Sequence, residues 1–416
     1  MGARPGPDEP LHILGAGLSG LSAATILAKA GREVHVWELR AESGARFDGD
    51  FQGIENWTGD RDFFDEMREW GLDPDAFKST LFTQIDLIHP DDEITVPKTG
   101  PAGAFRIVER GTDEHCIDQG FKRMALAAGA QIHYKQKRAP EDCHIIAAGP
   151  RESSAVAFGE VFTTSHPNIT AFQLNDKLAP GAYSYLIVID GVGLICTCLW
   201  RKQKRTERYL NETIAWYEAH YDLADRVPLK RVGGKGDFSL PDRYVHDGRW
   251  YVGEAGGLQD FMWGFGMRYA ITSGAFAAQD LLGGTPYEKQ VRTHLVPLVK
   301  VSAINRWLMN RMGDGGFKRA ARHWMKDQAK KGDGLLFMRW LYRPGLMRRL
   351  LWPAVRIGML RRKVLKDGRR VLRMPFRGAL SRDRWEPSAR ATEIGEQWQT
   401  VRKSGGGAVS FSAADQ

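Results

Sequence analysis

The sequence predicts an α/β chain, α+β overall. A parallel sheet with flanking helices is expected to carry an inserted antiparallel sheet and a helical, basic C-terminal region. Three observations support this: a strand–glycine turn–helix–strand pattern over residues 11–40, β-branched apolar runs between 155 and 235, and a mixture of basic and large apolar side chains from Leu335 to Leu380. With 416 residues, 43% of them hydrophobic, the chain can bury a large core in two or three structural units.

The first pattern is the most specific. The apolar run Leu11–Leu14 leads into Gly15-x-Gly17-x-x-Gly20, with Leu18 and Ser19 inside the turn. Leu21 to Ala30 is small and helix-favouring, and Val34–Trp37 alternates as a strand that ends in Glu38. Gly15 permits the tight turn, Gly17 lets backbone approach a pyrophosphate, and Gly20 lets helix and strand pack closely. The helix N-terminus offers unpaired N–H groups and partial positive charge to phosphates. Glu38 suits ribose hydroxyls and disfavours a 2′-phosphate. A lone GxGxxG is a weak signal, but in this context it indicates a bound dinucleotide.

Further along, Glu38 is followed by Arg40 and by Gly44-Ala45-Arg46. Cys143–Pro150 is an apolar stretch through Ala148 and Gly149, and Arg249–Gly257 contains Gly253-Glu254-Ala255-Gly256. Together these resemble the FAD-containing oxidoreductases of the glutathione-reductase and hydroxybenzoate-hydroxylase type. The resemblance implies a Rossmann-like FAD-binding domain and FAD as cofactor. Arg46 falls where that family places an arginine near phosphate or adenosine. Ala148-x-type strand ends pass beside the cofactor, and Glu254 takes the place of the aspartate that holds the ribityl chain. Within this superfamily the sequence is similar to the geranylgeranyl-reductase-like group over roughly residues 10–290. Arg110, ahead of a helix that starts at Ile117, matches an arginine beside the flavin. Tyr183 and Tyr185, before Gly191-Val192-Gly193, match a strand with two aromatics. Gly264 and Gly266 match a glycine-rich turn at the cofactor.

The same resemblance divides the chain. Residues 1–80, 100–152 and 240–290 would form the FAD-binding domain, and 81–99 and 153–239 an antiparallel-sheet substrate domain. Residues 291–400 would form a helical basic region, with 401–416 a disordered tail rich in glycine and serine. Helices are expected over Ile117–Ala128 and Met267–Leu282, and strands over Cys143–Gly149, Ile169–Leu174 and Tyr183–Leu199. Residues 44–58 read as a polar, aromatic loop rather than a strand.

Trp57, Phe261, Trp263 and Phe265, with Tyr183 and Tyr185, are candidates for an apolar substrate pocket; packing beneath a helix is the alternative for Phe261, Trp263 and Phe265, and a solvated loop position the alternative for Trp57. Cys116, Cys143, Cys196 and Cys198 are too few and too scattered for a disulfide framework, and no metal-ligand spacing is present. The N-terminal MGARPGPDEP has no apolar core of a secretory signal, and no run of about 18 apolar residues could span a bilayer. A cytoplasmic protein, or one held peripherally on the inner face of a membrane, is therefore expected.

From Leu335 to Leu380 thirteen Lys or Arg stand against one acid, Asp367, interleaved with Trp340, Tyr342 and Trp352. No nucleic-acid module accompanies this charge, which argues against nucleic acid. Basic residues alternating with Trp and Leu fit an anionic membrane surface; a basic cap packed on the rest of the chain is the alternative. Pro344 and Pro353 are expected to break or kink helices there.

The resemblance thus implies an FAD-dependent oxidoreductase that reduces or dehydrogenates an apolar isoprenoid- or lipid-like small molecule, with hydride passing through flavin N5. A flavin-dependent monooxygenase or halogenase of the same fold is the alternative. No second GxGxxG unit is present, so an electron-donor protein or NAD(P)H arriving from solution would supply electrons. No acid–base pair identifies a catalytic residue.

Overall fold

The computed structural model describes residues 4–101, 103–150, 152–331, 333–374, 387–403 and 409–410. Leu11–Leu14 and Val34–Trp37 pair in parallel, Leu11 opposite Val34, and occupy the middle of a six-stranded sheet. Its order is Val245–His246, Arg249–Tyr251, Ile145–Ile146, Leu11–Leu14, Val34–Trp37, Gln131–His133. All neighbours are parallel except the terminal hairpin of Val245–His246 with Arg249–Tyr251. Helices Leu18–Lys29, Ile117–Ala127 and Met267–Leu281 pack together. The first is apolar or small on every side and almost wholly buried, as expected of an internal helix. It touches the last so closely that a Cβ at Gly274 would strike the carbonyl oxygen of Ser19.

The mid-chain runs form an eight-stranded sheet ordered Val409–Ser410, Val227–Gly236, Ala155–Thr163, Val192–Leu199, Tyr183–Ile189, Ile169–Gln173, Asp86–Ile88, Ile94–Thr95. Most pairs are antiparallel; two, at Ile169–Gln173 with Asp86–Ile88 and at Val227–Gly236 with Val409–Ser410, are parallel. The Asp190-Gly191 turn inside the expected Tyr183–Leu199 run has positive φ at both residues, 51° and 82°. That is the backbone of a tight hairpin whose twist matches its strands.

Several expectations are corrected. Residues 44–58 are not simply a loop, because Asp50–Glu55 is a strand paired antiparallel with Phe105–Arg110, which also pairs with Ser79–Phe82. Phe51 and Ile54, on opposite faces of it, are both buried, so the polar composition hid a strand. The Cys143–Gly149 strand shortens to Ile145–Ile146. The basic region is not helical throughout: Val364–Lys366 and Arg369–Arg373 form a hairpin added to Ser239–Pro241. Its turn, Asp367-Gly368, again has positive φ at both residues. Of the tail expected at 401–416, residues 401–403 close the helix Ala389–Lys403 and Val409–Ser410 pair as strand; 404–408 and 411–416 lie outside the described residues, as do 375–380 of the basic tract.

The C-terminal helices are Val296–Lys331, interrupted by non-helical backbone at Gly313, then Leu335–Tyr342 and Leu346–Leu360. Pro344 lies in the break between the last two, whereas Pro353 sits inside the last one.

Candidate functional site

One cavity of about 1370 Å³ runs through the molecule, and nearly every residue singled out in the sequence borders it. A single small ligand fills roughly 300–1000 Å³, so there is space for more than one bound group.

The glycine turn sits at one end. Gly15 has φ 106°, and a Cβ there would lie 2.7 Å from the carbonyl oxygen of Ala147. A Cβ on Gly20 would collide with the carbonyl oxygen of Gly15. The protein itself demands both glycines. Gly17 differs: a Cβ there meets no protein atom within 4 Å. It is the N-cap of Leu18–Lys29, with no side chain capping the helix and no acid in the first turn. Unpaired N–H groups thus face an open cradle, the arrangement that receives a phosphate. Leu18 and Ser19 line it; Gly20 and Gly253 support it from behind, with Gly253 (φ 55°) packed on Ser19 and donating its N–H to Ser273 Oγ at 2.8 Å.

Glu38 closes the second strand. Its carboxylate accepts from the N–H of Ala16 at 2.9 Å and of Arg40 at 2.8 Å, and the side chain borders the cavity. Each oxygen keeps acceptor capacity for a ribose hydroxyl. Arg46 donates to the carbonyl of Lys235, lies 3.6 Å from Glu254, and stands 3.5 Å from where a Cβ of Gly149 would be. Glu254 accepts from the N–H of Asp237 at 2.9 Å. Burial raises its carboxyl above the ordinary value, and Arg46 opposes that rise. Arg110 is buried and held by both oxygens of Asp118 at 2.8 Å, with a third hydrogen bond to Gln52 at 3.0 Å. Its guanidinium covers the Phe47 ring at 3.9 Å. Arg40, Ala148, Gly149, Gly264 and Gly266 also line the cavity. A dinucleotide with an anionic middle and polar ribose fits this end by donor chemistry and by open space.

The other end is apolar. Trp57, Phe105, Phe172, Tyr183, Tyr185, Trp200, Phe238, Met262, Trp263 and Phe265 line it, and helical residues Leu308, Met309, Met312, Trp324, Phe337, Met338, Trp340 and Leu341 extend it. Trp57 and Phe265 meet edge-to-face at 5.0 Å, and Phe172 stacks on Tyr183 at 4.6 Å. Phe261 is the exception among the expected pocket residues. It is fully buried, packs on Phe238, and does not border the cavity.

The loop between the two ends is pinned. Asp260 accepts from the N–H groups of Met262 (3.0 Å) and Trp263 (2.8 Å) and from the Tyr342 hydroxyl (3.0 Å). Burial pushes its carboxyl up to about 6 against those hydrogen bonds. Tyr183 donates its hydroxyl to the Trp263 carbonyl.

Sequence reasoning missed Phe47, Phe172, Trp200, Phe238, Trp324 and Phe337, which carry no local motif; only burial in a shared cavity groups them. The four cysteines are all buried. Glu109, His115 and Cys116 place three potential metal-ligand atoms near one another. His115 is hydrogen-bonded to Glu109, and burial pushes the Cys116 thiol up to about 12.

Residues 13–51 match the family described as NAD(P)-binding Rossmann-like domain. Hydroxysqualene dehydroxylase of Sinorhizobium fredii (strain NBRC 101917 / NGR234) is 48% identical over 48 residues, a match spanning 12% of each chain. Among solved structures, a geranylgeranyl bacteriochlorophyll reductase-like protein from Thermoplasma acidophilum superposes with TM-score 0.58 at 18% identity, over 71% of this chain and 86% of its own. A flavin-dependent brominase gives 0.55 at 14% identity, over 83% and 98%. A flavoprotein/dehydrogenase from Cytophaga hutchinsonii gives 0.51 at 15%, over 70% and 84%. These identities speak for the fold. The chain has a Rossmann-like nucleotide-binding domain and the mixed α/β fold of these flavoproteins.

Proposed function

We propose that this protein is an FAD-dependent oxidoreductase acting on an apolar, isoprenoid- or lipid-like small molecule. The observation that carries the reading is the polarity of its cavity. Phosphate- and ribose-binding chemistry occupies one end, and a continuous aromatic and aliphatic lining occupies the other. A bound flavin supplies two-electron transfer through its N5. The chain's own contributions are positional. Gly17 and the first helical turn receive the pyrophosphate, and Glu38 the adenosine ribose. Arg46 and Glu254, 3.6 Å apart, would hold the middle of the cofactor, while Arg110, fixed by Asp118, presents charge beside Phe47 and Gln52. The loop Asp260–Met267 then sets Trp263 and Phe265 against the substrate, and the apolar lining excludes water from the reacting carbons. The division into a discontinuous FAD domain (1–80, 100–152, 240–290), a substrate sheet (81–99, 153–239) and a C-terminal cap follows from the same reading. Reducing equivalents arrive from NAD(P)H or a donor protein, and the basic cap attaches the enzyme peripherally to anionic lipid.

The aligned relative is named for hydroxysqualene, but the match spans only 48 residues, 12% of each chain. A second reading, a flavin monooxygenase or halogenase, is supported by the brominase likeness, which covers more of this chain than the reductase-like one. One experiment separates them. The purified protein should release FAD, and the chemically reduced enzyme should transfer hydride to an apolar alkene without oxygen. Oxygen consumption in step with substrate turnover would select the second reading. A folded protein that cannot be loaded with FAD would sink both.

A further inference from the structure

The helix Leu346–Leu360 is apolar on two opposite faces. Val355 and Met359 are buried on one side, where Arg348 borders the cavity. On the other side, Leu346, Leu350 and Ile357 follow a 3.6-residue repeat, and nothing among the described residues covers them: Leu346 is 72% exposed and Leu350 67%. A helix apolar all round is normally buried on both sides. Seven of the fifteen exposed large hydrophobic residues among those described fall within residues 336–360. Arg349 and Arg356 lie on this helix and Arg343, Arg361, Arg362 and Lys363 flank it in sequence, all exposed and without an acidic partner among the described residues. Other cations of the tract are differently employed. Lys366 and Arg373 pair with Asp237, and Arg369 is buried on the Tyr251 ring at 3.5 Å, so they fasten the hairpin to the body. The basic tract is therefore part structural and part free, and the free part coincides with the bare apolar face.

The cavity reaches the surface beside this helix, on the side of Arg348. Trp340 and Met312 both line it, yet are 57% and 46% exposed. Arg348 is the charged residue at this apolar end; its guanidinium donates to the Leu341 carbonyl at 3.3 Å and has no acidic partner among the described residues. No described helix is long and apolar enough to cross a membrane, so this face can enter only one leaflet.

We propose that helix Leu346–Leu360 seats in the headgroup region of an anionic bilayer and that the cavity opens there, so that a membrane-resident amphiphile slides chain-first past Met312 and Trp340 while Arg348 holds its anionic headgroup. The route deepens the proposed function and rests on it for the chemistry at the far end, but docking and uptake require no turnover.

The test uses the FAD-loaded full chain. Because all four native cysteines are buried, Leu346→Cys can be labelled selectively with an environment-sensitive dye. Glu141→Cys, exposed near Pro140 at the nucleotide end, provides the control. On phosphatidylglycerol vesicles the first label should shift blue and be quenched by acyl-chain quenchers, and the second should not; the shift should reverse as salt rises. Uptake is read with a tetraene fatty acid presented in the same vesicles. Ala321→Trp, which fills the cavity behind the mouth, should abolish uptake with FAD content and melting unchanged. Arg348→Gln should weaken uptake of the fatty acid about tenfold and leave uptake of the corresponding alcohol unaltered. A Leu346 label that stays aqueous at low salt overturns docking. So does a blue shift without lipid that accompanies dimer formation, because a second copy then covers the face. Uptake unaffected by Ala321→Trp in the folded variant overturns the route. Loss of FAD from the wild type would instead remove the proposed function.

Discussion

The two ends of the cavity are built in opposite ways. The nucleotide end comes largely from residues 11–46, where each feature is a local backbone demand: a left-handed turn at Gly15, a close approach at Gly20, an acid at the end of a strand. The apolar end gathers Trp57, Phe172, Trp200, Phe238, Trp263 and Phe337 from remote segments, brought together by non-local packing. Local demands leave a spaced signature in sequence; non-local packing leaves only a composition. The contrast makes distinct predictions for the two ends.

The largest effect is expected where the nucleotide end depends on a buried charge. Asp118→Ala leaves the Arg110 guanidinium desolvated and without its two-point partner. Breaking such a pair by removing one member costs about 3–5 kcal/mol. Denaturant titration of the FAD-free protein should show this loss. A loss below about 1 kcal/mol would mean that solvent reaches Arg110.

The glycines sharpen the comparison within one motif. Gly20→Val forces a side chain onto the Gly15 carbonyl, and overpacking of this kind costs about 1–3 kcal/mol or more. At Gly17 a Cβ meets no protein atom within 4 Å, so for Gly17→Val melting of the FAD-free protein should change little while FAD is lost. If both variants unfold alike, Gly17 serves the fold and not a ligand.

Legibility followed the same division. Gly15-x-Gly17-x-x-Gly20 and Glu38 form a spaced pattern in the sequence because one turn and one strand hold them, whereas Arg46 and Glu254 stand out only through the family resemblance; the structure places Gly15, Gly17, Glu38, Arg46 and Glu254 on one cavity. The strand Asp50–Glu55 was not, because Gln52 and Gly53 interrupt its alternation and its partner Phe105–Arg110 lies some fifty residues away. The hairpin at Val364–Arg373 carried a signal that charge counting obscured: Asp367-Gly368 is the same turn as Asp190-Gly191 and Asp247-Gly248, all with two positive φ values. Phe261 was misplaced for the converse reason. It neighbours Trp263 in sequence, yet Asp260 folds the loop so that Phe261 turns into the core.

The loop between the ends should respond to pH. Burial raises the folded-state carboxyl of Asp260 from an ordinary 3.8 to about 6, so the folded protein holds a proton there that the unfolded chain has lost. Stability tied to this group is therefore present below about pH 4 and lost as pH rises toward 6, an effect on the order of 2 kcal/mol. Asp260→Asn should remove that slope. The difference in unfolding free energy between wild type and variant, measured from pH 4 to 7, reports it directly. A difference independent of pH would place the titration on another group.

The smallest predicted effect asks whether the apolar end contains chemistry or only shape. Tyr183 points its hydroxyl at the Trp263 carbonyl, while its ring lines the cavity between Phe172 and Trp200. Burial holds the phenol well above its ordinary range, so it stays protonated and available as a donor near neutral pH. If its task is to hold the loop, Tyr183→Phe should cost about 1 kcal/mol, the net worth of one hydrogen bond. FAD content should stay constant, and the pH profile of turnover should keep its shape, because the ring that lines the cavity is unchanged. A rate loss of a hundredfold or more at constant KM would instead give the hydroxyl a proton to transfer, and the apolar end of the cavity would then contain the catalytic acid that no spacing in the sequence reveals.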